Sequence, residues 1–84
     1  MRYKIKKGFI SRKMGDKLTI FDGEESLLYT LNSTATFIFE KLKQGLNEVK
    51  IMALLEHKYS VSKEKAQSDI KEFIEDLKKK RLIV

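Results

Sequence analysis

Side chains that could carry out catalysis or hold a metal are few in this sequence, and they are widely separated. His57 is the only histidine and cysteine is absent, so neither a catalytic triad nor a cluster of soft metal ligands can form. The four glycines are isolated from one another, which excludes a glycine-rich phosphate loop. Four acidic residues have the spacing of a solvated helix face rather than of an acid–base pair: Asp69, Glu72, Glu75 and Asp76. We therefore predict a binding module that is not an enzyme and that requires no cofactor or metal.

The length of 84 residues corresponds to one small domain, and we expect residues 1–84 to fold as a single unit. No apolar run approaches the roughly 18 to 20 residues that cross a bilayer, and the basic N-terminus lacks the apolar stretch of a signal peptide. The absence of cysteine suits a reducing compartment. We therefore expect a soluble, cytoplasmic protein.

The net charge of +6 is concentrated near the N-terminus. Residues 18–84 hold eleven basic and eleven acidic side chains, whereas residues 1–17 hold one acid, Asp16, and seven basic side chains: Arg2, Lys4, Lys6, Lys7, Arg12, Lys13 and Lys17. Such a segment favours acidic partners, which include nucleic acid, an acidic peptide and an anionic membrane surface. Equally, lysines on an edge strand discourage pairing with other chains, so the sequence leaves both interpretations open.

Three strands are predicted before residue 32, over residues 9–13, 17–21 and 26–31, with turns at Gly15-Asp16 and Asp22-Gly23. In the third strand Leu27, Tyr29 and Leu31 recur with a period of two, which is typical of a strand with one buried face. The strands should form an antiparallel meander. Its third strand carries few charges and leaves one edge open.

Three helices are predicted after the strands, each preceded by a polar residue that can cap its first turn: Asn32, Asn47 and Ser62. The first should end near Gly45, and the second should cover about residues 48–59. Apolar stripes at helical spacing mark the three buried faces: Ala35, Ile38, Phe39 and Leu42; Ile51, Leu54, Leu55 and Met52; and Ala66, Ile70, Phe73, Ile74 and Leu77. The segment Leu82-Ile83-Val84 is apolar and should fold back on the core.

This order of elements predicts the α+β class, with a three-stranded antiparallel sheet followed by three helices in a winged helix-turn-helix-like arrangement. One alternative function is therefore a DNA-binding regulator, because a helix-turn-helix places its last helix in the major groove. Residues 62–81 carry seven basic and five acidic residues, and the basic ones crowd the C-terminal end. Phosphate binding by this helix should be weak or misplaced. A wing formed by the basic first strand keeps DNA binding as the less favoured alternative.

A set of positions spread over nearly the whole chain carries the residue types of a known family: Leu31-Asn32, Ala35, Ile38-Phe39, Leu42, Ile51, Leu55, Tyr59-Ser60-Val61, Asp69, Phe73, Leu77 and Leu82-Ile83. In this set the sequence resembles the PqqD-like family, that of coenzyme PQQ synthesis protein D. Two positions depart from the usual pattern. Phe39 stands where the family often has tryptophan, which should leave the core intact, and Arg81 stands where a glycine commonly ends the last helix.

The resemblance implies a recognition element that holds the leader of a ribosomally synthesised precursor peptide for a separate modifying enzyme. In that family the leader adds as a strand to the third strand of the sheet and inserts side chains beside the third helix. The implied contact residues in this chain are Ser26, Leu27, Leu28, Tyr29, Thr30, Gln67, Ile70, Lys71 and Ile74. The implied partners are the precursor peptide and either a radical SAM maturase or the protease or cyclase of a lasso-peptide pathway, without a membrane partner.

Overall fold

A computed structural model of the chain describes residues 5, 8–23 and 26–83. Within them three strands precede three helices: β1 Ile10–Met14, β2 Lys17–Asp22, β3 Leu27–Leu31, α1 Ser33–Lys43, α2 Glu48–Tyr59 and α3 Lys63–Lys79. The predicted α+β class and the order of elements are confirmed. None of the helices in these described ranges is both long enough and apolar enough to cross a bilayer.

The sheet is an antiparallel meander in the order β1-β2-β3, so β2 is its central strand. The two-residue turn between β1 and β2 is possible because Gly15 adopts a φ of +64°, which residues with a side chain rarely adopt. Leu18 and Ile20 of β2 and Leu31 of β3 are buried against the helices, whereas every residue of β1 is exposed. The sheet therefore covers the core mainly with β2 and β3.

All three predicted helix caps are confirmed. The Asn32 side chain accepts a hydrogen bond from the backbone N–H of Ala35 at 2.8 Å, and Asn47 does the same for Lys50 at 2.9 Å. Ser62 accepts from the N–H of Lys65 at 3.2 Å. Each cap satisfies a donor that the first turn of a helix cannot satisfy internally, so the helices begin where the sequence predicts.

The core lies between the inner face of the sheet and the three helices, and its largest fully buried side chain is Phe39. The predicted stripe of α3 is buried at all five positions. Leu82 and Ile83 fold back and are buried, as predicted, while Val84 lies outside the described residues. The prediction for Leu54 is wrong: its side chain is 40% exposed, because Ile51 and Leu55 define the buried face of α2 and Leu54 lies on its flank.

Candidate functional site

β3 forms one edge of the sheet and carries no charged side chain. Among the described residues it pairs only with β2, so alternate N–H and C=O groups of β3 point outward without a strand partner. Leu27 and Tyr29 pack against the core and are half-buried, whereas Leu28 and Thr30 are exposed on the other face. Ser26 immediately precedes the strand, with a φ of 51°. β3 therefore offers the open backbone that pairing with another strand requires.

A cleft of about 330 Å³ lies between β3, the first turns of α1 and one side of α3. Apolar and polar side chains both line it: Tyr29, Asn32, Thr34, Ala35, Ile38, Lys65, Asp69, Glu72, Phe73 and Asp76. Ile38 and Phe73 belong to the buried core, while Lys65 and Asp69 form an ion pair at 3.0 Å. The cleft thus combines an apolar interior surface with a charged border, directly beside the open strand.

Tyr29 links β3 to α3 across this cleft. Its hydroxyl donates a hydrogen bond to Oδ2 of Asp76 at 3.0 Å, and Nζ of Lys80 lies 4.4 Å from the centre of its ring. Burial raises the pKa of the Tyr29 hydroxyl well above its ordinary value, and the hydrogen bond and negative charge of Asp76 add to this effect. At neutral pH the hydroxyl is protonated and donates to Asp76, so this hydrogen bond links β3 to α3 across the cleft.

Thr36 connects α1 to β2 and β3 by hydrogen bonds. Its side chain is buried, and its hydroxyl oxygen accepts a hydrogen bond from the N–H of Leu18 at 3.0 Å. The same hydroxyl donates to the carbonyl oxygen of Leu31 at 3.4 Å. Because Leu18 and Leu31 are opposite each other in the sheet, one side chain on α1 holds the end of the β2–β3 ladder. This contact positions the α1 side of the cleft relative to β3.

The helix residues implied by the family resemblance do not line this cleft. They lie on the side of α3 that faces α2, in a separate groove of about 350 Å³ lined by Glu48, Val49, Met52, Gln67, Ile70, Lys71, Ile74, Glu75 and Lys78. The reason is that the buried stripe of α3 has two flanks, and the flank next to β3 carries Asp69, Glu72 and Asp76 instead. The structure therefore divides the nine implied residues between the β3 edge and the α2–α3 groove.

The sequence predicts a solvated helix face for four acidic residues of α3, but three of them, Asp69, Glu72 and Asp76, line the cleft beside β3. Glu75 lines the α2–α3 groove. Lys65, Asp69, Glu72 and Asp76 are spaced at i, i+4, i+7 and i+11, which places them on one side of the helix. That spacing was a usable signal that they border a common surface. The sequence alone does not reveal which neighbouring element this surface faces.

Within the described ranges, the other residues that could hold a metal or bind an acidic partner do not line the cleft. His57 is exposed on α2, and no group of three or more histidine, cysteine or acidic residues that could hold a metal occurs within the described ranges. In the basic segment, Lys13 pairs with Glu40 at 3.1 Å, while Arg12 and Lys17 are exposed on β1 and β2. The other basic residues, Arg2, Lys4, Lys6 and Lys7, lie outside the described residues.

The helix that would enter DNA in the alternative interpretation, α3, mixes basic and acidic side chains along its surface. Lys65 is paired with Asp69, and Lys80 lies 3.6 Å from Oδ2 of Asp76. Glu72 and Glu75 are exposed on the same helix. The exposed lysines of this helix, which include Lys63, Lys71 and Lys79, are interspersed with acidic side chains. The helix therefore offers no uniformly basic surface for phosphate neutralisation, and the structure does not support DNA binding by α3.

Two solved structures share this fold, and both hold a leader peptide. One is TbiB1 in complex with the TbiA(beta) leader peptide, with a TM-score of 0.88, 21% sequence identity, and coverage of 95% of this chain and 93% of that chain. The other is lasso peptide synthetase B1 complexed with the leader peptide, with a TM-score of 0.91 and 20% sequence identity. This match covers 100% of this chain and 99% of that chain. At this level of identity the similarity establishes the shared fold.

No curated protein matches this chain significantly in sequence. The family model described as coenzyme PQQ synthesis protein D does match, over residues 18–83. The match begins at the buried Leu18 of β2 and ends at the buried Ile83, so it includes β3, all three helices and both walls of the cleft. This chain therefore belongs to the PqqD family.

Proposed function

We propose that this chain is a non-catalytic module that captures the leader of a ribosomally synthesised precursor peptide and presents it to a modifying enzyme. The leader adds as a strand to the outer edge of β3 and inserts one or two apolar side chains into the cleft between β3 and α3. The observation that carries the proposal is the open, uncharged β3 edge directly beside that cleft. Main-chain pairing supplies affinity in this mode of recognition, and the adjacent cleft supplies specificity.

The similar solved structures support this assignment, because both are complexes with leader peptides. The name of one of them places it with lasso peptides, so a protease or cyclase of a lasso-peptide pathway is the favoured partner, ahead of a radical SAM maturase. The module acts as a single domain over residues 1–84, in the cytoplasm, where the precursor is made.

The proposed contact surface has two parts. Residues 26–30 of the β3 edge provide the backbone groups, as the family resemblance implies. On the helices, we propose that the leader contacts the cleft residues Ala35, Asp69, Glu72 and Phe73. These take the place of the residues that the family resemblance implies on the α2 side of α3. Tyr29 belongs to both parts, since its backbone lies on the strand and its ring lines the cleft.

Ala35→Leu tests whether the leader enters this cleft. Ala35 is half-buried on α1, and a leucine there fills space that an inserted side chain would occupy. Leucine is also a strong helix former, so α1 should persist. We expect the Kd for the cognate leader peptide, measured by isothermal titration calorimetry, to rise by at least about tenfold.

Two variants add comparable bulk elsewhere and serve as controls. Ala53→Leu changes an exposed position of α2, and Gln67→Leu changes the groove between α2 and α3. Both should bind the leader like the wild type. Weakening by Gln67→Leu with wild-type binding by Ala35→Leu would assign the leader to the α2–α3 groove instead. Failure of the wild type to bind the leader would refute the proposed function itself.

A further inference from the structure

The outer face of the sheet, which points away from the helices, carries an unusual row of exposed apolar side chains. Ile10 is opposite Phe21, and Phe21 is opposite Leu28, so the three side chains cross β1, β2 and β3 on one face. They are 69%, 47% and 69% exposed, respectively. Directly opposite residues on one face of a sheet contact each other, so these three form a continuous patch. Among the described residues, only three other large apolar side chains are comparably exposed: Met14, Val49 and Leu54.

The outer face also carries Thr19, Thr30 and Met14, and the charged residues that the strands place on it are both basic. Arg12 lies two positions from Ile10 on β1, and Lys17 lies four positions from Phe21 on β2, so both share the outer face and both are exposed. Lys13 is on the other face, where it pairs with Glu40. In the described residues of the three strands the only carboxylate is Asp22, which is buried. The outer face therefore has one apolar row, and the charged side chains that the described strands place on this face are positive.

This charge pattern determines what kind of surface can cover the face. A second copy of the chain would bring a second set of these basic side chains, Arg12 and Lys17, to the interface, on a protein that already carries a net charge of +6. Like charges that face each other at an interface lower the affinity. A surface with carboxylates around an apolar centre would instead complement both the apolar row and the basic side chains of this face. The complementary occupant is a different protein whose apolar patch is bordered by acidic side chains.

We propose that the outer face of the sheet docks this protein onto the modifying enzyme, at an apolar enzyme surface bordered by carboxylates. The inference rests on the proposed function, because it assumes that such an enzyme receives the leader. β3 connects the two surfaces: its outer edge pairs with the leader, and Leu28 on the same strand completes the apolar row. A leader strand added to β3 extends the sheet, so its outward side chains continue the docking face. The enzyme would therefore contact the domain and its bound leader together.

Phe21→Thr and Arg12→Glu test the two features of the face separately. Threonine keeps a good strand former at an exposed position, so the sheet should remain intact. The probe is the peptide-modifying enzyme encoded beside the precursor gene, and its affinity for the leader-loaded protein is measured by surface plasmon resonance. We expect Phe21→Thr to weaken enzyme binding by at least about tenfold. Arg12→Glu should weaken it by about three- to tenfold and reduce its dependence on salt concentration.

Matched variants on α2 provide the controls. Leu54→Thr removes an apolar side chain that is 40% exposed, and Lys50→Glu reverses an exposed charge. Neither should change enzyme binding, and all four variants should bind the leader like the wild type. The separate measurement of leader binding distinguishes the two proposals, because a wild-type protein that does not bind the leader would refute the proposed function.

Three results would overturn the docking proposal while leader binding is retained. In the first, Phe21→Thr binds the enzyme with wild-type affinity. In the second, sedimentation shows a dimer that Phe21→Thr dissociates, which would assign the face to a second copy. In the third, vesicles of phosphatidylglycerol and phosphatidylcholine bind the wild type but not Phe21→Thr, which would assign it to an anionic membrane.

Discussion

At the scale of single residues, Thr36 shows how one polar side chain can join helix and sheet. It lies in the buried part of α1, only 2% exposed, between the apolar positions that the helical pattern predicts. Its hydroxyl accepts from the N–H of Leu18 and donates to the carbonyl of Leu31, so it contacts both β2 and β3. Its position in the sequence is that of an ordinary helical threonine. Its role was therefore not predictable, because it depends on where the strand ends lie in three dimensions.

Replacing Thr36 with valine keeps the shape of the side chain but removes the hydroxyl. The N–H of Leu18 then loses its acceptor inside the protein, which costs about 1 to 3 kcal/mol even though the new side chain is more apolar. Urea denaturation should show this loss of stability with an unchanged m-value. Thr34→Val, at a partly exposed position of the same helix, should change stability by less than about 0.5 kcal/mol. Equal stabilities for wild type and Thr36→Val would contradict the role assigned to the hydroxyl.

At the scale of the elements, α1 and α3 end in the same way with different residues. The N–H of Leu46 bonds to the carbonyl of Lys41 at 3.2 Å, and the N–H of Leu82 bonds to that of Leu77 at 2.9 Å. Each bond requires the preceding residue in the left-handed region: Gly45 has a φ of +86°, and Arg81 has a φ of +58°. The departure at Arg81 from the family's usual glycine therefore leaves the helix end intact, at the cost of a strained backbone conformation.

Gly45→Ala should destabilise the domain by about 1 kcal/mol, because no L-residue adopts this conformation as easily as glycine. A methyl group at this position meets no atom within 4 Å, so the loss would come from the backbone alone. Thermal unfolding followed by circular dichroism measures the difference. Gly23→Ala, whose added methyl group makes only an ordinary contact with Phe21 at 3.7 Å, should unfold at nearly the wild-type temperature. A Gly45→Ala protein as stable as Gly23→Ala would show that the helix end does not depend on the left-handed residue.

Most of the elements could be predicted from the sequence, because their signals are local. The caps at Asn32, Asn47 and Ser62 and the apolar stripe of α3 depend on neighbouring residues only, and the structure confirms them. The site was only partly predictable. The open β3 edge follows from the order of the strands, but the flank of α3 that faces it depends on how the helix rotates against the sheet. Both flanks of the buried stripe are polar, so the sequence does not show which flank faces β3, the one with Gln67 and Lys71 or the one with Asp69 and Glu72.

At the scale of the whole molecule, the residues that line the proposed leader-binding cleft belong to a different part of the sequence from the segment with excess positive charge. The cleft beside β3 is bordered by Asp69, Glu72 and Asp76, whereas the excess basic residues lie within residues 2–17. Any binding to nucleic acid should therefore come from the basic segment and depend on phosphate neutralisation. Such binding weakens steeply as salt concentration rises.

Fluorescence anisotropy with a labelled DNA duplex can measure this salt dependence. We expect weak binding at low salt that is lost at physiological salt and that shows no preference between sequences. The affinity for the leader peptide should change little over the same range, because it depends on backbone pairing and apolar contacts. Sequence-selective DNA binding that persists at physiological salt would restore the DNA-binding interpretation.

The most direct test of strand addition is residue-by-residue amide hydrogen exchange in the complex with the cognate leader. A strand that pairs with β3 engages only those N–H groups that point to the open edge, so protection should increase at alternate residues within residues 26–31. Amides in α2 should exchange as they do in the free protein. Unchanged exchange throughout β3 in a saturated complex, with new protection confined to residues 8–23 or to the groove between α2 and α3, would contradict strand addition at this edge.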